Sequence, residues 1–173
     1  MQAEAFRRIV TADRTDFTAR LIALLDAHGI RYCLVGGQAV NAYAAPVVSL
    51  DVDLAVGVGH YETVEALLRS RFRTEDFTHS LKVSEAGSDV IVQIQKDPRY
   101  FSFVERARIF DVLGLRVPVA DPEDLLQGKV WAVTDDTGRP SKRQKDLADI
   151  ARLLEVFPGL RDRVPQEVLS RLF

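Results

Sequence analysis

A short apolar run, Tyr32 to Val35, stops at two consecutive glycines, Gly36-Gly37, and a helical pattern then runs from Gln38 to Ala45, where Pro46 ends it. Aromatic and β-branched residues favour extended backbone, glycine permits the tight turn, and proline cannot continue a helix. The spacing therefore predicts strand, turn, helix in that order. Leu50 to Val56 then alternates, with Asp51, Asp53 and Ala55 on one face and Leu50, Val52, Leu54 and Val56 on the other. A strand with two carboxylates on one side follows a glycine turn.

The remaining patterns fill in an α+β domain, a mixed β-sheet flanked by helices. Thr15 and Asp16 offer capping oxygens to a helix that carries Phe17, Leu21, Ile22, Leu24 and Leu25 and stops at His28-Gly29. Val64, Leu67 and Leu68 mark a helix over 61–71, and a hairpin over 81–95 turns at Ala86-Gly87-Ser88. In its second strand Val90, Val92 and Ile94 share the apolar face, and Asp89, Gln93 and Gln95 share the other with Ile91. Pro98 starts a short helix to about Arg106, and Leu115 to Val119 reads as a strand. Asp121-Pro122 opens a helix with a cap and proline at the first position, Ser141 is placed to cap the next, and Pro165 to begin the last. These elements read as one domain over 1–173, with a core over about 15–120 and a helical C-terminal segment over about 121–173.

Composition excludes several classes of protein. With 173 residues, a length near the usual size of one domain, the chain predicts one hydrophobic core. Its 23 Lys and Arg balance 25 Asp and Glu, which argues against a broadly basic, DNA-coating surface. A single cysteine, Cys33, excludes an internal disulfide framework and a cysteine-rich zinc site, and points to the cytoplasm. The first residues lack the apolar region of a secretory signal, and the stretch from Tyr32 to Val48 is too often interrupted to span a membrane. His28, His60 and His79 show no metal-ligand spacing and read as loop or helix-end residues, Cys33 as a core residue, and Trp131 and Phe157 as packing residues.

Asp51-Val52-Asp53 is the pattern most able to do chemistry. Carboxylates at i and i+2 of a strand project from one face and can converge on Mg²⁺, which prefers one or two carboxylates completed by water and substrate phosphates. Such pairs also arise on solvated strand faces, so the triplet alone is a weak signal. Val35-Gly36-Gly37-Gln38 strengthens it, because glycines let backbone N–H groups approach a phosphate. Together the two segments describe a site for a metal and a triphosphate. Lys145 stands four residues before Asp149, and Lys142 four before Asp146; on a helix both spacings also suit solvated ion pairs.

With Gly36-Gly37, Asp51-Val52-Asp53, Asp124 to Lys129 and the run Lys142 to Ile150 in this order, the chain resembles the nucleotidyltransferase superfamily with the polymerase β-like fold. It resembles in particular the small bacterial members related to AbiEii-type toxins of toxin–antitoxin systems, over about residues 30–155. It implies that Gly36 and Gly37 hold nucleotide phosphates and that Asp51 and Asp53 bind Mg²⁺ in a two-metal site. It also implies that Lys129 or Lys145 reaches the triphosphate or the acidic cluster. The substrate would be an NTP, the acceptor an RNA, a protein or a small molecule, and a toxin–antitoxin role would add a protein partner. Arg99-Tyr100-Phe101 with Lys142 to Lys145 offers a basic, aromatic patch for RNA.

The chain departs from the family pattern at one point. A third carboxylate on the later strand would activate the acceptor hydroxyl, and Gln93 stands near that position. Either Asp89 substitutes as a catalytic carboxylate or catalysis is weakened. Two readings follow: a Mg²⁺-dependent nucleotidyltransferase, or a catalytically degenerate relative that binds nucleotide, RNA or protein.

Overall fold

The computed structural model describes residues 17–172, so the expected caps Thr15 and Asp16 lie outside the described residues. A first helix, α1, covers 17–27, and β1 (Tyr32–Val35) runs into α2 (Gly36–Asn41). Then follow β2 (Asp51–Val56), α3 (Tyr61–Arg71), β3 (Arg73–Asp76), β4 (Ser80–Ser84) and β5 (Ile91–Gln95). A 3₁₀ segment (Pro98–Arg106) leads to β6 (Arg108–Val112), β7 (Leu115–Val119), α4 (Pro122–Thr134) and α5 (Pro140–Val156). A second 3₁₀ segment (Pro158–Arg163) and α6 (Gln166–Leu169) follow.

Seven strands form a mixed sheet in the order β3-β4-β5-β2-β1-β7-β6. β1 and β2 are antiparallel with Val35 opposite Asp53, whereas β2 and β5 are parallel with Asp53 opposite Gln93. The end of β1 and the beginning of β2 therefore coincide, and the glycine turn lands beside the carboxylates. The α+β architecture with flanking helices matches the expectation from sequence.

Alternation in β2 sorts the two faces. Val52, Leu54 and Val56 are buried, and Val52 and Leu54 meet Ile22 of α1 and Leu34 of β1 around a small apolar cavity. Phe17 of α1 packs edge-on against Phe72, just past α3, at 5.5 Å between ring centres, so α1 and α3 cover this face. The carboxylate face is bordered by the 3₁₀ segment, α4 and α5. There Phe103 stacks on Trp131 of α4 at 5.9 Å, and Tyr100 meets the same indole edge-on. Cys33 is buried in β1, as expected, and burial pushes its thiol up to about 12.

Several boundaries differ from expectation. α2 begins at the glycines and ends at Asn41; the Ala42 and Tyr43 amides bond to carbonyls three residues back, which tightens and closes the helix before Pro46. Leu50 precedes β2 and is 60% exposed rather than part of its apolar face. α5 starts at Pro140 with Arg139 at the cap, so Ser141 lies inside the helix. Asp121 does cap α4, accepting a hydrogen bond from the Glu123 amide at 3.0 Å. Two strands, β3 and β6, have no counterpart in the sequence pattern. Both are sheet edges whose mostly exposed residues carry no apolar alternation. No helix among the described residues is long and apolar enough to cross a membrane.

Candidate active site

Gly36 has φ +72°, in the left-handed region that glycine enters without penalty. A Cβ built there would stand 2.9 Å from Asp53 Cγ, so the carboxylate rests directly on the turn. A Cβ at Gly37 would face Ser49 Oγ at 3.5 Å and Asp149 Oδ2 at 3.7 Å. The turn is thus enclosed by Asp53 from β2, by the segment before β2, and by Asp149 from α5. Burial is the main influence on Asp53 and pushes its carboxyl up to about 6; Lys129 opposes the rise, Asp51 adds to it, and Lys142 opposes it again.

Gln93 of β5 is the side chain next to Asp51. Its Nε2 donates to Asp51 Oδ2 at 3.4 Å, while Ser80 Oγ donates to its Oε1 at 3.3 Å. The acceptor-only carboxylate thus fixes which end of the amide faces it, and the serine hydroxyl, able to donate or accept, donates to the other end. Asp89 was expected on the same strand face. It instead lies ahead of β5, which starts at Ile91 opposite Asp51, and it is exposed.

α4 and α5 bring a second charged cluster to the turn. Lys129 Nζ donates to Asp146 Oδ1 and Asp149 Oδ2, each at 2.8 Å, and its side chain is only 12% exposed. Burial works against the ammonium, but Asp146 and Asp149 outweigh it and raise the pKa of Lys129, so the lysine stays charged. Lys129 is therefore a buried bridge between two carboxylates of α5. Lys142 bonds Asp146 at 3.1 Å, as its spacing predicts. Lys145 is exposed and makes no ion pair with Asp149, whose oxygens are taken by Lys129 and by Arg152 at 2.6 Å.

Arg152, which sequence reasoning did not single out, ties this cluster to the approach to β2. Its Nη2 donates to Asn41 Oδ1 at 2.6 Å and to the Ala45 carbonyl at 2.7 Å. Asn41 in turn brackets Val47 through both its amide groups, and Gln38 holds the Ser49 carbonyl at 2.8 Å. The segment between α2 and β2 is therefore pinned from α5. In the basic, aromatic patch, Arg99 is gripped by Asp97 and lies over the Trp131 ring at 4.4 Å from its centre. Phe103 stacks on the indole and Tyr100 meets it edge-on, so Trp131 is a packing residue. His28, His60 and His79 sit at a helix end, at the start of α3 and in the turn before β4.

The model of the family described as nucleotidyl transferase AbiEii toxin, type IV toxin–antitoxin system, matches residues 4–173. The chain belongs to the AbiEii nucleotidyl transferase family. No curated protein matches it. Solved structures show the same fold at low identity. The antibiotic-resistance factor ANT(2″)-Ia, in complex with adenylyl-2″-tobramycin, aligns with TM-score 0.55 and 14% identity over 87% of this chain and 98% of that one. An antigenic nucleotidyltransferase-like protein from Paracoccidioides brasiliensis gives 0.55 and 20%, over 90% of this chain and 84% of that one. The lincosamide adenylyltransferase LnuA, with lincomycin bound, gives 0.51 and 12%, over 79% and 95% respectively.

In this AbiEii family member the donor set suits a hard cation. Asp51 and Asp53 offer carboxylate oxygens from one strand face and would hold such a cation, water and phosphate oxygens supplying its remaining ligands. Gln93 presents an N–H toward Asp51 rather than a third carboxylate. Among the described residues no group of three or more His, Cys, Asp or Glu side chains is arranged to hold a metal.

Proposed function

We propose that this protein transfers a nucleoside monophosphate from an NTP to an acceptor hydroxyl, with Mg²⁺ held by Asp51 and Asp53. The observation that carries the reading is the Asp53 carboxylate lying against the Gly36 turn, which puts a cation site and a source of backbone N–H donors within one phosphate's reach. Bound there, the cation would neutralise charge developing on the phosphoryl oxygens. Gly36 and Gly37 take the β- and γ-phosphates. Lys129 keeps one N–H beyond the two given to Asp146 and Asp149, and that N–H is available to a phosphate oxygen. Lys142, paired with Asp146, adds positive charge beside Lys129 and opposes the rise of the Asp53 carboxyl, and the exposed Lys145 stays a candidate for reaching the triphosphate.

In the reaction the acceptor oxygen bonds to the α-phosphorus, the bond from that phosphorus to the β-phosphate oxygen breaks, and pyrophosphate leaves. Calorimetric titration of each NTP with and without Mg²⁺, on the wild type and on the Asp51→Asn/Asp53→Asn variant, tests the reading. Mg²⁺-dependent binding that the double variant loses supports it; equal binding by both proteins overturns it.

Gln93 favours a second reading, a nucleotide-binding relative without turnover, since an amide cannot accept the hydroxyl proton. Nucleotide binding with no pyrophosphate release from any acceptor would select it. In either case a protein partner and activity in the cytoplasm remain part of the proposal, the single cysteine Cys33 fitting a reducing compartment.

A further inference from the structure

The polar row that begins at the Asp pair continues across the sheet. Asp53 of β2 stands beside Gln93 of β5, Gln93 beside Lys82 of β4, and Lys82 beside Glu75 of β3. Paired residues leave a sheet on the same face, and strands lie about 4.8 Å apart, which places Lys82 on the carboxylate side with its Cα about 10 Å from that of Asp53. Lys82 is half-buried, and its ammonium lies 4.2 Å from the centre of the Phe77 ring, in the turn between β3 and β4. Phe77 is 40% exposed.

Lys82 differs from its neighbours in having no carboxylate partner. Lys96 pairs with Asp76 at 2.6 Å, and Lys129 and Lys142 pair with Asp146. Among the described lysines only Lys82 and Lys145 make no ion pair, and Lys145 is exposed, where water supports it. Glu75, across the strand from Lys82, is exposed and forms no ion pair with it. A half-buried ammonium supported by a ring face alone leaves room for an anion.

The direction of attack gives that anion a source. With the phosphates on the Gly36-Gly37 turn, on the β1 side of Asp53, pyrophosphate departs toward β1. An in-line nucleophile then approaches from the opposite side, over β5 and β4. Resting on the nucleotidyl-transfer reading, we infer that the shelf formed by Gln93, Lys82 and Phe77 is the acceptor subsite and that it takes an acceptor carrying an anionic group, phosphate or carboxylate, near its reacting hydroxyl. In that transfer the acceptor O–Pα bond forms, the bond to pyrophosphate breaks, the hydroxyl proton passes to solvent, and Lys82 holds the acceptor's anion without exchanging a proton. The same cation disfavours polycationic acceptors.

Ligand-observed NMR on the full chain, saturated with Mg²⁺ and an NTP whose α–β bridge cannot be cleaved, tests this. The probes are glycerol 3-phosphate, glycerate, glycerol and the polycation tobramycin. The expected result is binding of at least one anionic probe tenfold or more tighter than glycerol, with the stronger of the two identifying the anion. Lys82→Met should remove the advantage, Lys82→Arg should keep it, and Arg116→Met, at an exposed cation of β7, should leave it unchanged, all with NTP-analogue affinity within twofold of wild type. Equal binding of charged and neutral probes, tighter binding of tobramycin, or a preference that survives Lys82→Met overturns the inference. With analogue binding intact, those outcomes leave nucleotidyl transfer standing; failure to bind the analogue removes both.

Discussion

The Asp53 carboxylate occupies the space that a side chain at Gly36 would need, with Cγ 2.9 Å from the position of a Cβ on that glycine. Two constraints thus meet at one residue, the left-handed φ of +72° and the close approach of a carboxylate. Gly36→Ala is expected to cost about 2–4 kcal/mol, combining left-handed strain with steric displacement of Asp53. Gly29→Ala, at φ +64° with nothing within 4 Å, isolates the backbone part and should cost only about 1–2 kcal/mol. Urea denaturation of both variants measures the difference, and equal losses would show that Asp53 moves aside freely.

Asp53 gives the metal-free protein a pH signature with a definite sign. Burial, opposed by Lys129 and reinforced by Asp51, raises its carboxyl from 3.8 to about 6, so the folded state binds this proton more tightly than the unfolded chain. Its stabilising contribution is therefore complete below 3.8 and is lost as pH rises through about 6. Asp76, Glu85, Asp97 and Asp135 are held low, chiefly by side-chain hydrogen bonds, and tilt the total the other way. The difference between wild type and Asp53→Asn isolates the Asp53 part. Denaturation in Mg²⁺-free buffer should show the wild type losing stability relative to the variant across this window, and a flat difference would refute the assignment.

Lys129 is the cation that makes the α4–α5 acid cluster tolerable. Lys129→Met leaves Asp146 and Asp149 without their shared partner in a buried setting, and should destabilise the fold by about 3 kcal/mol or more. It should also raise the Asp53 pKa further, since Lys129 is the strongest influence holding it down. Lys145→Met, on an exposed lysine without an ion pair, should change stability by no more than about 0.5 kcal/mol. Chemical denaturation, with carbon-detected NMR titration of Asp53, reports both effects.

Arg152 joins α5 to the segment before the Asp pair through Asp149, Asn41 and the Ala45 carbonyl. Arg152→Ala should cost about 1–3 kcal/mol and loosen that segment. Hydrogen exchange over residues 42–50 should accelerate while amides of β5 keep their protection. Unchanged exchange in 42–50 would show that Asn41 and Gln38 hold the segment unaided.

What could be read along the chain was local. The glycine turn, the two carboxylates of β2, the hairpin around Gly87 and the Asp121-Pro122 start of α4 each follow from residue spacing or from a backbone preference within a few positions. β3 escaped because Arg73-Thr74-Glu75-Asp76 is polar throughout; only pairing with β4 makes it a strand. Arg152 escaped because an arginine on an amphipathic helix carries no mark of a partner 111 residues away.

By itself, then, the sequence determined that a Gly-Gly turn and an Asp-x-Asp strand would exist, since glycine's φ freedom and the two-residue period of a strand are properties of the local chain. Only the tertiary structure decided what surrounds them. The sheet order placed Gln93 beside Asp53 and Lys82 beside Gln93, and the packing of α4 on α5 closed Lys129 between Asp146 and Asp149. Those neighbours come from separate elements, and their charges act on one another because the fold buries them together.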